Sequence, residues 1–282
     1  MKIVIIGGNG FVGTALTELL SKENHELVVI DPTPSETKLN GVQYCECNLL
    51  EIERTLGFIM GASVIVFSAL PSFTEYEQAK DLNNLQSGIF VQYLANLVAL
   101  TGASLITLSD WHVYGRILGQ GGEDTQPKPN SDFASYLNYF ENMVRTMIPE
   151  SVVMRLGDVW SYDREPMGII NSIAYEVARM GYFSRLDDEF SYFPYVTLDD
   201  VTKAVREVIL QNPTAVTLNC YESSTRLFDF YETLNFKSKT FSGYLDSSVD
   251  MRGIKFYSLY QPSTKFSEGA LLDLVGRYKE DL

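Results

Sequence analysis

Short apolar runs and amphipathic stretches alternate along the first part of the chain. The runs 2–7, 26–31, 63–68, 103–109 and 152–156 are largely apolar, the pattern of strands buried on both faces of a parallel sheet, and 42–47 is a further candidate strand. Between them, 11–22, 49–60, 75–101 and 133–148 repeat apolar positions at helical spacing, as Val12, Leu16 and Leu19 do in the first. This alternation predicts a Rossmann-type, doubly wound α/β sheet. Residues 116–132, rich in Gly, Pro, Asn and Asp, read as a loop. Beyond about residue 160 the alternation weakens. A helix near 166–181, a short strand at 192–197, a helix at 199–211 and a last helix at 267–280 follow. Val201, Ala204, Val205, Val208 and Ile209 line one face of 199–211, and Leu271, Leu274, Val275 and Tyr278 group on 267–280. The expected organisation is a first domain over 1–160, to which part of 195–220 returns, and a small interleaved α/β lobe over 161–282.

The first strand leads directly into Gly7-Gly8-Asn9-Gly10-Phe11-Val12-Gly13. Gly7 and Gly10 permit a tight turn and close approach of backbone to a phosphate, and Gly13 permits close packing of helix on strand. The helix start at Phe11 and Val12 offers free N–H groups and a partial positive charge. Strand, turn and helix together predict a site for a dinucleotide pyrophosphate. The second strand ends at Asp31, placed to accept hydrogen bonds from ribose hydroxyls and to repel a 2′-phosphate. No Lys or Arg lies between Lys22 and Lys38, so NAD is expected in preference to NADP. The third and fourth strands end at Asn48-Leu49 and Ser68-Ala69-Leu70, loops that face the ligand crevice of such sheets; Asn48 can donate and accept at an adenine edge.

The chain has 282 residues, a net charge of −14 and 45% hydrophobic residues. No basic stripe or arginine cluster is present, which argues against a nucleic-acid partner. No secretory leader precedes the first strand and no apolar run is long enough to span a bilayer, so a cytoplasmic protein with no membrane partner is expected. Cys45 and Cys47 alternate onto one strand face and lack the further ligands of a zinc site; with Cys220 they read as reduced, buried thiols, and no metal is expected.

These segments resemble the extended short-chain dehydrogenase/reductase family of nucleotide-sugar epimerases, dehydratases and reductases. The resemblance runs from the glycine turn, Asp31 and Ala69 through Ser109-Asp110-Trp111-His112-Val113-Tyr114-Gly115. It continues in Arg155-Leu156-Gly157-Asp158-Val159-Trp160, in Tyr195-Val196-Thr197-Leu198-Asp199-Asp200-Val201, and in Gln261-Pro262 through Glu268-Gly269-Ala270-Leu271. It implies NAD as cofactor, a nucleotide-sugar or related small molecule as substrate, and a homodimer through helices 82–100 and 133–148. Both helices read as apolar over more than one face, as in Leu85, Ile89, Phe90, Leu94, Leu97 and Val98.

Family chemistry requires a Tyr-x-x-x-Lys pair, in which the lysine lowers the phenol pKa. Tyr136 stands at the expected distance, 26 residues after Asp110, but Phe140 occupies the lysine position and no lysine occurs between Lys128 and Lys203. The family's Ser/Thr falls on Asp110, its substrate-binding Asn on Asp158, and its diphosphate-binding Arg on Phe193. Without an adjacent cation Tyr136 is expected to titrate near its free value of about 10. His112 alternates onto the strand face of Asp110, so the two can act as a coupled acid–base pair; His25 is expected to be exposed. Tyr136, His112 and Asp110 are thus the candidate catalytic residues, and Asp158 the candidate substrate contact. Two functions stay open: an NAD-dependent enzyme of this type with an altered site, or a non-catalytic NAD-binding regulatory or structural subunit of a larger assembly.

Overall fold

The computed structural model describes residues 1–162, 168–188, 190–234, 236–243, 245–263 and 265–280. The side chains of residues 74, 80, 82–85 and 118, Leu85 of the apolar stripe among them, lie outside the described residues, as do residues 166 and 167 of the predicted helix.

The chain opens with β1 (Lys2–Ile6), α1 (Phe11–Leu20), β2 (Glu26–Asp31), β3 (Val42–Glu46), α2 (Ile52–Ile59) and β4 (Val64–Phe67). The long helical stretch expected at 75–101 is two helices, α3 (Phe73–Gln78) and α4 (Lys80–Thr101). Ser72 and Glu75 form a capping box that starts α3, and Ala79 leaves helical geometry at φ −135°, ψ 33°. Then come β5 (Ser104–Asp110), a 3₁₀ turn over Trp111–Tyr114, and β6 (Arg116–Gly121). β6 lies inside the segment read as a loop: it pairs with a strand more than a hundred residues away, and its polar, Gly-rich sequence gives no strand pattern. The chain continues through α5 (Asp132–Met147), β7 (Val152–Leu156), β8 (Asp158–Trp160), α6 (Gly168–Met180), β9 (Phe183–Leu186), β10 (Tyr192–Thr197) and α7 (Leu198–Gln211). It ends with β11 (Val216–Cys220), β12 (Ser223–Arg226), α8 (Leu227–Thr233), β13 (Ser238–Phe241), β14 (Ser248–Met251), α9 (Ile254–Leu259) and α10 (Glu268–Glu280).

Seven strands form one sheet in the order β11-β7-β5-β4-β1-β2-β3. β1 pairs in parallel with β2 and β4, aligning Ile5 with Val29 and Val66. β2 and β3 extend the sheet on one side of β1 while β4, β5, β7 and β11 extend it on the other, so the carboxyl end of β1 is the point where winding reverses, the place at which open α/β sheets hold ligands. This is the expected Rossmann-type α/β fold. Among the described residues no helix is long and apolar enough to cross a membrane.

The chain divides into two compact units. The first comprises Met1–Ser109, Ser135–Arg155 and Thr202–Leu218, and the second Asp110–Ala134, Leu156–Val201 and Asn219–Leu282. In the first, Val4, Ile6, Val28, Ile30 and Phe67 of the sheet pack with Ile59 of α2, Leu94 and Leu97 of α4, and Phe140 and Val144 of α5. In the second, β10 pairs in parallel with β8 and antiparallel with β12. There α10 lies along α6, where Asn171 Nδ2 donates to Tyr278 Oη at 2.7 Å.

Candidate active site

The turn after β1 is built so that side chains cannot occupy it. Gly7 has φ +80°, and a Cβ there would lie 2.6 Å from the Ser68 carbonyl oxygen. A Cβ on Gly13 would lie 2.2 Å from the Gly7 carbonyl oxygen, whereas one on Gly10 would meet only that same oxygen, at 3.4 Å. Gly7 and Gly13 are therefore fixed by contact, and Ser68 and Ala69 form the wall against Gly7. The Thr14 N–H is bonded to Gly10 O at 2.9 Å, which leaves the amides of Phe11 and Val12 ahead of the first intrahelical bond at the α1 start. Space free of side chains and amides at a helix N-terminus fit a pyrophosphate.

Asp31, buried at the end of β2, ties this turn to the next loop. Its Oδ2 accepts the Asn9 N–H at 3.0 Å and its Oδ1 accepts the Thr33 N–H at 2.9 Å, while Asn9 Nδ2 donates to Thr33 O at 2.6 Å. Each carboxylate oxygen keeps a further lone pair for a ribose hydroxyl. Asn48 accepts the Leu50 N–H at its Oδ1, 2.9 Å away, in a local turn, and Leu49 is buried. Leu70 packs against the core of the first unit. Just before Asn48, Cys45 and Cys47 are buried thiols, as is Cys220. His25, expected to be exposed, instead has only 12% of its side chain exposed, with Nε2 3.1 Å from Glu23 Oε2.

Tyr136 is buried on α5 with its ring 5.0 Å from that of Tyr76. Burial raises its pKa above the ordinary phenol value, and the neighbouring Tyr76 adds to the rise. This corrects the expectation of a near-free value: the sequence shows the missing cation but not the desolvation. Phe140 is fully buried and stacks on Phe67 with centroids 5.4 Å apart and planes at 17°.

In the second unit, Asp110 and His112 come together at the end of β5. The Asp110 carboxylate accepts the His112 backbone N–H at 2.8 Å, and its Oδ1 lies 2.5 Å from His112 Nδ1. The pair is partly open, with 38% of the Asp110 and 23% of the His112 side chain exposed. The imidazole rests against Trp111, at 4.1 Å, and the edge of Phe133, at 5.6 Å. Ser247 Oγ donates to His112 O, which brings the 246–247 segment beside the pair. Burial by itself lowers the His112 pKa, but the charge and hydrogen bond of Asp110, with the charges of Asp158 and Asp246, outweigh it and raise the pKa above the usual histidine value. Asp158 on β8 caps α6: its Oδ2 accepts the Ile169 N–H at 2.8 Å. Burial pushes the Asp158 carboxyl up to about 7; the Ile169 N–H opposes this and the Asp110 charge reinforces it.

Phe193 is fully buried, its ring 5.6 Å from Tyr195 and 5.0 Å from Phe230. It is a packing residue of an aromatic cluster. The two later signature segments meet through Asp200, which is fully buried and accepts Tyr260 Oη at 2.6 Å, the Ser263 N–H at 2.9 Å and Thr197 Oγ1 at 2.9 Å. Glu222 holds the same C-terminal segment by accepting the Phe266 N–H at 2.7 Å; burial pushes its carboxyl up to about 7 against that hydrogen bond, and Asp200 adds to the rise.

A buried charge network in the first unit escaped the sequence reading. Glu141 of α5 is wholly buried and accepts Ser109 Oγ at 2.6 Å, Arg155 Nη2 at 2.8 Å and Arg145 Nη2 at 2.7 Å. It links β5, α5 and β7. Burial raises the Glu141 pKa, but Arg155 and Arg145 overcome this and hold it below the ordinary value. The available signal was an acidic residue in the apolar stripe of Leu137, Phe140 and Val144.

A model of the NAD dependent epimerase/dehydratase family matches residues 3–220. A curated relative, dTDP-6-deoxy-L-talose 4-dehydrogenase (NAD(+)) from Aggregatibacter actinomycetemcomitans, is 19% identical over 229 residues, covering 78% of this chain and 84% of the relative. The dTDP-glucose 4,6-dehydratase of Bacillus anthracis, solved with NAD, shares the fold at a TM-score of 0.80 and 18% identity, covering 100% of this chain and 97% of that one. That of Streptomyces venezuelae, solved with NAD and TYD, gives 0.83 and 15% with the same coverage. With the family model spanning most of its length, the chain belongs to the NAD dependent epimerase/dehydratase family, the group of extended short-chain dehydrogenases/reductases that its motifs resemble.

Proposed function

We propose that the chain binds NAD on the Gly7–Gly13 turn and interconverts hydroxyl and carbonyl groups of a sugar-like small molecule, with Asp110 and His112 moving the proton in place of Tyr–Lys. The observation that carries this reading is the 2.5 Å contact between Asp110 Oδ1 and His112 Nδ1. A carboxylate orients the ring and stabilises its protonated form, which equips the imidazole to hold or release a proton near neutrality. NAD, when bound, supplies the hydride acceptor or donor. Tyr136, kept protonated by burial, is assigned to packing.

Asp31 supports NAD over NADP, because its carboxylate would face a 2′-phosphate. Calorimetric titration should show micromolar binding of NAD and much weaker binding of NADP, with the gap narrowing in Asp31→Ser. Turnover of hydroxy and keto sugars, free and nucleotide-linked, should fall by about 10²–10⁴ in His112→Ala with NAD affinity retained. Unchanged turnover in that variant sinks the dyad assignment. NAD binding without turnover of any of these compounds favours the second reading, a non-catalytic NAD-binding subunit. The stacking of Phe140 on Phe67 in place of a lysine is the observation on that side.

We propose in addition a homodimer through α4 and α5. Past the exposed Asp81 and Asp132 of their first turns, the exposed positions described on the two helices carry no charge in a chain of net charge −14: Ile89, Gln92, Asn96, Ala99 and Leu100 on α4, and Ser135, Tyr139, Asn142 and Thr146 on α5. Ile89, Leu100 and Tyr139 are each half exposed or more. An uncharged helical surface of this kind suits self-association. Sedimentation at micromolar concentration should give a dimer, and a monomer there would count against it.

A further inference from the structure

We infer that the part of the substrate recognised beside Asp110 and His112 carries no phosphate, and that Asp158 sets this specificity. The inference rests on the dyad reading above and names the substrate class it implies: a neutral hydroxy or keto compound, not a nucleoside diphosphate sugar.

The start of α6 has the makings of an anion site, since the first N–H groups of a helix lack intrahelical partners. Here the chain fills it with its own carboxylate. Asp158 Oδ2 accepts the Ile169 N–H at 2.8 Å. Gly168, at φ +81°, allows an approach so close that a Cβ there would lie 2.6 and 2.7 Å from the two Asp158 oxygens. A phosphate would have to displace this carboxylate.

The surrounding charge points the same way. Asp110, Asp158 and Asp246 are the charges that weigh most on His112, and Asp110 and His112 those that weigh most on Asp158. Among the described residues, no lysine or arginine is one of them. Among the described residues of the second unit, Arg116 is engaged with Leu245 O and Ser191, Arg185 with Glu232, Arg226 with Asp229, and Arg252 with Asp250. Phe193, at the position where the family resemblance expects a diphosphate-binding arginine, is sealed in the aromatic cluster. A diphosphate brought here would face the like charge of Asp110, Asp158 and Asp246, a juxtaposition that suppresses binding.

The test is calorimetric titration of the NAD-loaded protein with dTDP and with UDP at pH 8, above the value of about 7 to which burial pushes the Asp158 carboxyl, in the wild type and in Asp158→Asn. Asparagine keeps an oxygen for the Ile169 N–H and removes the charge. The wild type should bind neither diphosphate at millimolar concentration, and Asp158→Asn should bind at least about tenfold tighter than the wild type. Micromolar binding of either diphosphate to the wild type overturns the inference without any variant. Affinities within about twofold of each other in the two proteins, or no binding in either, overturn the role of Asp158. The loading step is itself a titration with NAD: failure there counts against the proposed function, whereas diphosphate binding by a protein that takes up NAD counts only against this inference.

Discussion

The glycine turn of the first unit and the strand-end pair of the second are both polar features at the carboxyl ends of sheet strands, but they are held by different forces. At the turn, steric contact decides: Gly7 and Gly13 are fixed by carbonyl oxygens that a single added carbon would strike. At the Asp110–His112 pair, electrostatics decide: three carboxylates bias one imidazole. Steric constraints are nearly all-or-none, because packed backbone has little room to yield. Electrostatic constraints are graded, because a charge can be offset by neighbours, water or a change of protonation. A family can therefore keep its nucleotide turn intact while its reacting groups change identity.

The comparison breaks first at Gly13. Gly13→Val should abolish NAD binding and lower the melting temperature, because its Cβ would lie 2.2 Å from Gly7 O. Retained micromolar affinity in that variant would show that the turn is as negotiable as the pair. Glu141→Leu comes next and asks whether a buried electrostatic group can be as unforgiving as a steric one. Removing Glu141 takes away the carboxylate that Arg155 meets in the interior and should cost about 3–5 kcal/mol of stability by denaturant titration. A loss under about 1 kcal/mol would mean that water reaches the network.

A smaller effect tests the graded side. Asp158 and Glu222 each hold their proton up to about pH 7 in the folded chain, well above ordinary carboxyls. The folded state therefore binds more protons than the unfolded state between about pH 4 and 7, and these two groups favour the fold most at the acid end of that window. Their contribution should decline as pH rises through 7. Asp158→Asn and Glu222→Gln should each flatten that decline in a pH series of melting temperatures; a series unchanged in both variants would refute it. The smallest effect is again steric. Ala215 sits at φ +54°, outside the conformations that L-residues prefer. Ala215→Gly should raise stability by about 0.5–1 kcal/mol, and a loss would show that the strain is compensated locally.

How much of this could be read from the sequence follows the same division. β1, β2 and β4 are continuous apolar runs because both of their faces are covered, and the glycine spacing reports a backbone requirement directly. β6, β12 and β13 were not legible. Their sequences, Arg116–Gly121, Ser223–Arg226 and Ser238–Phe241, are polar or glycine-rich, and each is a strand only because of a partner distant in the chain. The place of Asp31 at the end of β2 was legible because the apolar run before it stops there. Glu141 could not, because a carboxylate on a helix gives no sign of being buried until the helix is packed. The rise of the Tyr136 pKa was missed for the same reason: the missing lysine is visible in the sequence, whereas desolvation beside Tyr76 is a property of the fold.

The stacking of Phe140 on Phe67 also bears on what position 140 can hold. A lysine restored at position 140 would enter a stack of rings in the interior of the first unit with its ammonium group among apolar side chains, and an unpaired buried charge is expensive. A Tyr–Lys pair at 136 and 140 thus calls for at least two changes, one to introduce the cation and one to open the stack that occupies its path. A single substitution at position 140 therefore meets a buried, unpaired charge before it meets a Tyr–Lys pair.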